Sequence, residues 1–403
     1  MRAEGRRVLA TLVRTTGDLA VSEDAVQDAV LAALERWPVD GVPDQPRAWL
    51  TTVARRKAID RFRRDVNRAR KEEGLMGLLE PEPELTDSVV RDDQLRLIFT
   101  CCHPALSLDT QITLSLTTLC GLSAADAARL LLVGEAAMAR RLSRAKQKIA
   151  LAGIPYRIPD DAELPARLDG VASTVHLLFT SGVASGDVGS QDRLCDEAVR
   201  LARLLVELMP DESSLQGLLA LLLLTDARRS TRIDADGDLV PLADQDRASW
   251  DPHLIEEGID LVQRALRRSR HRAGRFELQA AIAACHAGAV RFEDTDWVDV
   301  VALYDALLQV EPTDVVRLNR AVALGERDGA EAGLAALDLL TGLAGFHLWN
   351  SCRAELLARL DRLSEARTAF DRALDCGPPP AAARRLHRRR EEIGRMAIGS
   401  RDS

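Results

Sequence analysis

Apolar residues recur at helical spacing almost from the start of the chain. Leu9, Leu12 and Val13, then Val26, Ala29, Val30 and Ala33, repeat at i, i+3, i+4, the interval that lines one face of an α-helix. Alternating β-branched or aromatic runs are scarce, and aromatic residues make up only 3% of the chain. The expected fold class is all-α. Ser22, followed by Glu23 and Asp24, reads as an N-cap with acids in the first turn, favourable to the helix dipole. Pro38, Gly41, Pro43 and Pro46 mark Trp37–Pro46 as a loop, since glycine and proline punctuate helices. A helix over about Arg47–Lys71 follows. Glu72–Asp93, with Gly74, Gly77, Pro81 and Pro83 among acids, reads as a flexible acidic linker. Periodicity resumes at Leu95 and runs to about Leu151, broken near Gly121 and at Val133-Gly134.

Gly153 to Pro165 reads as a second linker and a domain boundary. Beyond it the pattern repeats. Ala302–Pro312 realigns on the segment ending at Pro378 with an offset of 66, which superposes Tyr304 on Phe370, Asp305 on Asp371 and Leu308 on Leu374. That offset is close to two periods of a tetratricopeptide (TPR) helix pair of about 34 residues. Arg203–Asp211 has the same helix-then-proline ending, and Arg228–Asp251 interrupts the repeats as a long polar loop. The expected organisation is a helical block over 1–71, the linker 72–93, a second helical block over 94–152, and a TPR-like array over 153–403.

Charge sharpens this division. The net charge is −8, yet residues 1–152 balance at +2 and the remainder at −10. Nine bases crowd Arg55–Lys71, and Arg140–Lys148 holds five with no acid. Two basic patches joined to an acidic body point to a nucleic-acid-binding front half. Within Gly121–Ile149, Ser123 caps a short helix with Ala127 and Leu130 inward, Val133-Gly134 turns the chain, and a second helix opens at Glu135 with Met138 and Leu142 inward. Its polar side carries Arg140, Arg141, Ser143, Arg144, Lys146 and Lys148. A DNA-reading helix-turn-helix needs this arrangement. An ordinary helical hairpin with a solvated basic face shows it too.

These residues carry a more specific likeness. GLSAADAARLL with AMARRLSRAKQKI resembles region 4 of the sigma-70 family, in its extracytoplasmic-function (ECF) branch. SEDAVQDAVLAALERWP (Ser22–Pro38) resembles region 2.2, and PRAWLTTVARRKAIDRFRR (Pro46–Arg64) resembles regions 2.3 and 2.4. The likeness covers residues 1–152; FTCCHPALS (Phe99–Ser107) and Asp234–Asp251 resemble the ECF subgroup with a C-terminal TPR-like domain. It implies a transcription initiation factor that docks on core RNA polymerase, β′ and β subunits, and reads promoter DNA. Asp24, Gln27, Asp28 and Glu35 would then meet polymerase. Arg55, Arg56, Arg61, Arg63 and Arg64 would hold the −10 strand, with Val39–Gln45 as a pocket for a flipped base. The six polar residues from Arg140 to Lys148 would read the −35 element. Trp49 suits base stacking or, with Leu50, Val53 and Ile59 near the same face, the core. The acidic array would dock on the basic blocks or take a protein or peptide partner in a concave groove.

Other chemistry finds little support. Cys101-Cys102-His103 lacks metal-ligand spacing, because adjacent cysteines diverge on a helix, so no metal site is expected. Asp234-x-Asp236-Gly-Asp238 has its glycine at position 4 and Gln245 at position 12, which does not fit an EF-hand. No G-x-S-x-G, P-loop or H-E-x-x-H occurs, so neither an enzyme nor a cofactor is expected. Seven cysteines without framework spacing, no secretory leader and no apolar run of membrane length suggest a cytoplasmic protein with reduced thiols. Two rival functions remain: a helix-turn-helix regulator with a TPR sensor that never replaces sigma, and a helical scaffold that binds no DNA.

Overall fold

In the computed structural model the described residues are 2–64, 87–120, 122–131, 133–154, 156–160, 162–183, 188–234, 236–269 and 272–399. Every regular element among them is a helix, with one isolated antiparallel bridge between Ile233 and Leu239, so the fold is all-α. It divides into two compact units, Met1–Ser181 with Asp192–Leu201, and Gly182–Gln191 with Ala202–Ser403.

The first unit opens with α1 (Arg2–Thr16), α2 (Leu19–Asp40) and α3 (Pro46–Arg64), joined by α4 (Asp87–Cys101). These helices pack on one another through the stripes read from the sequence. Leu9, Leu12, Val13, Val26, Ala29, Ala33 and Leu50 are all buried, each large aliphatic side chain contributing about 1.5–3 kcal/mol. Local details depart from the expectation. Asp18, not Ser22, caps α2, accepting from Ala20 N and Val21 N. Ser22 is buried inside the helix and meets the Thr16 hydroxyl at 2.7 Å. The helix also runs on through Pro38 to Asp40, shrinking the expected loop to Gly41–Gln45. Proline is tolerated there because the helix ends within a turn, so few backbone hydrogen bonds are lost. Residues 65–86, most of the expected linker and the end of the Arg47–Lys71 helix, lie outside the described residues.

α4 begins inside the stretch read as linker. Asp93 is 0% exposed, held by Arg14 of α1 at 3.0 Å and by Arg96 at 2.8 Å. The hairpin region follows as α5 (Leu108–Leu114), a π-turn (Ser115–Leu119), α6 (Ala124–Leu130) and α7 (Glu135–Leu151). The break at Cys102–Ser107 had no counterpart in the sequence reading. The Ser123 cap did: Ser123 Oγ accepts from Asp126 N at 3.0 Å.

The segment read as the second linker is pinned. Ile154 is buried, and the Tyr156 hydroxyl donates to the carbonyls of Ala10 (2.6 Å) and Asp93 (3.0 Å). α8 (Leu164–Val183) then adds Arg167 to the Phe99 carbonyl and Thr174 to Gln111. Arg200 of α9 (Val188–Leu208) reaches the Leu119 carbonyl at 3.4 Å. The sequence partition at 153 follows motif blocks; the compact units follow packing.

The second unit is a succession of helices in which each packs on its neighbours in the chain: α10 (Ser213–Asp226), α11 (Pro252–Arg268), α12 (Arg275–Gly288), α13 (Trp297–Val310), α14 (Asp314–Arg327), α15 (Ala330–Asp338), α16 (His347–Arg359), α17 (Leu363–Asp375) and α18 (Pro380–Gly399). The longest apolar run, Leu218–Leu224, lies in α10 between α11 and α12, which explains why it is apolar all round. Gly217 permits the α12 crossing, because a Cβ there would lie 2.7 Å from Glu277 N. The polar insertion between α10 and α11 is ordered. Asp234 Oδ1 accepts from the amides of Asp236 and Asp238, and Asp238 is held by Arg384 and Arg388 of α18. No helix among the described residues is long and apolar enough to cross a membrane.

Candidate functional site

The helical stripes decide which polar residues reach solvent. On α2, Gln27 and Glu35 are exposed, on one face with Leu31 (58%) and Leu34 (54%). Val39 and Val42 continue that apolar exposure, beside Trp37, whose ring meets Trp49 edge to face at 5.6 Å. Asp24 and Asp28, still part-exposed, reach across to the neighbouring helix instead. Arg61 of α3 donates to Asp24 at 2.6 Å and to Asp28 at 3.1 Å. The hydrogen bond to Asp28 is the largest cause of the raised Arg61 pKa, with burial opposing it. Two acids expected to meet polymerase and one base expected to hold DNA therefore pair with one another, leaving one net negative charge. The sequence reading missed Leu31 and Leu34, although both fall off the Val26–Ala29–Val30–Ala33 stripe.

On α3 the exposed stripe is Thr52, Arg56, Lys57 and Asp60, while Arg55 is partly buried. The side chains of Arg63 and Arg64 lie outside the described residues. Trp49, partly buried against Trp37, sits at the packed end of the exposed α2 face.

The α6–α7 hairpin turns at Val133-Gly134. Met138 and Ala127 are fully buried, and this sorts the six polar residues of α7. Arg140, Ser143, Arg144 and Lys148 are exposed along one stripe. Arg141 turns back towards α5, donating to Thr113 Oγ1 at 3.5 Å and lying 3.9 Å from Asp109. Lys146 pairs with Glu23 of α2 at 2.5 Å. Glu23 also accepts from the Thr118 hydroxyl at 2.6 Å.

The cysteine cluster belongs to the interior. Cys101, Cys102 and Cys120 are buried, and burial pushes the Cys102 thiol up to about 11. His103 Nδ1 accepts from Ala105 N. Among the described residues no group of three or more His, Cys, Asp or Glu side chains is placed to hold a metal ion. In the second unit a groove of about 390 Å³ has Val206, Leu219 and Leu261 along its floor and Arg203, Glu257 and Arg264 at its rim.

Comparisons with known proteins bear on both units. Residues 1–68 match the family Sigma-70 region 2, and residues 167–266 match a family of unknown function, DUF6596. Uncharacterized protein R00370 of Rhizobium meliloti (strain 1021) is 44% identical over 377 residues, covering 91% of this chain and 89% of that protein. The ECF RNA polymerase sigma factor SigJ of Mycobacterium tuberculosis (strain ATCC 25618 / H37Rv) is 30% identical over 192 residues, covering 45% of this chain and 57% of SigJ. Among solved structures, the P58(IPK) TPR domain aligns over 93% of this chain and 99% of that chain, at 12% identity and a TM-score of 0.27, too loose a superposition to carry an argument.

Proposed function

We propose that this chain, whose residues 1–68 match Sigma-70 region 2 and which is 30% identical over 192 residues to an ECF RNA polymerase sigma factor, is an ECF-type sigma factor: it binds core RNA polymerase and directs initiation at its own promoters. The observation that carries this reading is the coincidence of the region 2 match with two exposed faces in the first unit. The α2 face of Gln27, Leu31, Leu34 and Glu35 is apolar at its centre and polar at its edges, the make-up of a protein–protein interface. It is the surface offered to polymerase. The α3 stripe with Arg56 and Lys57 lies on the neighbouring helix, where exposed cations favour a DNA strand. Opening a base pair costs a few kcal/mol, so this stripe and the exposed segment from Val39 at the end of α2 through the Gly41–Gln45 loop hold the separated −10 strand.

The α6–α7 hairpin supplies the second reader. Its outward residues Arg140, Ser143, Arg144 and Lys148 are spaced to follow a major groove and its phosphates at the −35 element. The chain works by binding and contributes no covalent step. The TPR-like array modulates this activity or recruits a peptide partner through the groove of the second unit.

Reconstitution tests the reading. The chain, added to sigma-free core polymerase, is expected to yield run-off transcripts from a subset of fragments in a promoter library. Leu34→Asp is expected to abolish co-purification with core while leaving the helix content unchanged. No transcript from any fragment, with core binding absent, refutes the proposal.

A further inference from the structure

The second unit gathers positive charges that have no counterion. They come from the polar insertion between α10 and α11 and from the end of α12. Arg228 follows α10, Arg247 opens a single 3-10 turn (Arg247–Ser249), and His286 lies in the last turn of α12. Backbone and side-chain bonds bring the first two together. Asp251 N donates to the Ala227 carbonyl at 2.8 Å, and Trp250 Nε1 donates to Thr231 Oγ1 at 3.0 Å. The Thr231 hydroxyl in turn donates to the Arg228 carbonyl. Arg247 lies over the Trp250 ring, 4.6 Å from its centroid. Its Nη1 donates to the carbonyls of His286 and Ala289, closing the end of α12.

That closure uses one nitrogen of the guanidinium. Its Nε and Nη2 are shut off from solvent with no acceptor, and so is Nδ1 of His286. Buried polar atoms are nearly always partnered, and a charge buried without an acceptor is costly. The electrostatics agree. Arg228 is pushed down to about 10, first by burial and then by the charges of Arg232 and Arg247, with no carboxylate opposing them among the described residues. His286 is held down by burial, then by Arg247, then by Arg228. For Arg247 burial again leads, while Glu293 and Asp294 pull the other way. Both of those acids are exposed, and Asp294 is taken by Arg291 at 2.8 Å. Trp250 under Arg247 and Trp297 against His286 (5.3 Å) give the place aromatic walls, which strengthens its attraction for an anion. Arg228 and His286 are only partly buried, so a small anion can enter from solvent.

We propose that Arg228, Arg247 and His286 form a binding site for a phosphate group. The unpaired Nε and Nη2 of Arg247 make a fork that matches two oxygens of one oxyanion. Phosphate suits the place better than carboxylate in charge and in shape. Near neutral pH it brings close to two negative charges to set against two guanidinium groups. It also offers a third acceptor oxygen, which a carboxylate lacks, for Nδ1 of His286. Arg228 and Arg247 fall within residues 167–266, the segment matched to a family of unknown function. Every residue of the site lies in the second unit, so it stands whether or not the first unit binds polymerase.

Isothermal titration calorimetry of the full-length chain tests the site, with inorganic phosphate in one arm and glycerol 3-phosphate in the other. Sodium chloride at matched ionic strength is the control. One phosphate group per chain is expected to bind, and the tighter of the two ligands distinguishes free phosphate from a phosphate ester. Arg228→Gln removes a charge that no described carboxylate offsets and is expected to weaken phosphate binding about tenfold or more. Without phosphate its thermal transition is expected at or above that of the parent, because repulsion from Arg247 is relieved. Arg247→Lys keeps the charge but loses the fork, and is expected to weaken binding to a similar degree at unchanged helix content. No heat beyond the chloride control, unchanged phosphate binding in both variants, or sodium acetate binding as tightly as phosphate would each overturn the proposal. So would an Arg228→Gln transition well below the parent's, since the guanidinium would then be held by the fold itself.

Discussion

Replacing Asp93 by alanine is the sharpest test of how the first unit holds together. The carboxylate is completely buried, with Arg14 Nε 3.0 Å from Oδ1 and Arg96 Nη1 2.8 Å from the same oxygen. Its backbone carbonyl also accepts from Tyr156. Removing one partner of a buried ion pair costs about 3–5 kcal/mol, chiefly because the remaining charge is left unpaired. Arg14 and Arg96 keep about a quarter of their side chains exposed (26% and 28%) and regain some hydration. The lower end, about 3 kcal/mol, therefore applies. For a unit of this size each kcal/mol moves a thermal transition by about 2–4 °C, so Asp93→Ala is expected to lower it by about 6–12 °C. Asp93→Asn keeps an acceptor for the guanidinium groups and is expected to cost about 1–2 kcal/mol. Burial pushes the Asp93 carboxyl above its ordinary value, against the pull of Arg14 and Arg96. The native state thus binds this proton more tightly than the unfolded chain does. Asp93 favours the fold at the acid end and loses that contribution as pH rises through its folded pKa, a dependence absent in Asp93→Asn. Hydrogen exchange followed against temperature supplies the assay, with peptides from α1 and α4 compared with peptides from α17. A shift below 2 °C in α1 and α4, or an equal shift in α17, would refute the argument.

Three further outcomes follow from the geometry. Arg144→Ala is expected to weaken promoter-duplex binding and reduce the salt dependence by about one phosphate contact, whereas Arg141→Ala leaves DNA affinity unchanged; salt-titrated fluorescence anisotropy separates them. A chain ending at Ala152 lacks Tyr156, Arg167, Thr174 and Arg200 and is expected to be cleaved by limited proteolysis at least tenfold faster than one ending at Leu201, a difference that equal half-lives would rule out. His286 is pushed down to about 4, first by burial and then by Arg247 and Arg228. The unfolded chain therefore takes up the proton first as pH falls, and the second unit is expected to lose about 1–3 kcal/mol between pH 6.5 and 4; urea titrations of His286→Gln across that range are expected to be flatter.

Much of this was legible in the sequence because it depends on local rules. Apolar spacing along one face fixed the helices, Ser123 and the turn at Val133-Gly134 set the hairpin, and the order of two motif blocks pointed to the sigma-70 family. The bases of α7 could be assigned to the helix surface from composition alone. Their division could not. Arg140 and Arg144 face solvent while Arg141 and Lys146 turn inward, because Asp109 and Glu23 stand opposite them, and those partners are distant in sequence. The same holds for the acids of α2: helical period places Asp24 and Asp28 on a polar face, but only the α2–α3 packing shows that Arg61 occupies them. Asp93 looked like a solvated linker acid until α1 brought Arg14 beside it, and Gly153–Pro165 looked like a tether until Tyr156 met two carbonyls of the first unit. Periodicity reports which side of a helix is apolar, a property of neighbouring residues. Which charge meets which is set by long-range packing, where a partner scores of residues away decides whether a side chain binds a ligand or closes the fold.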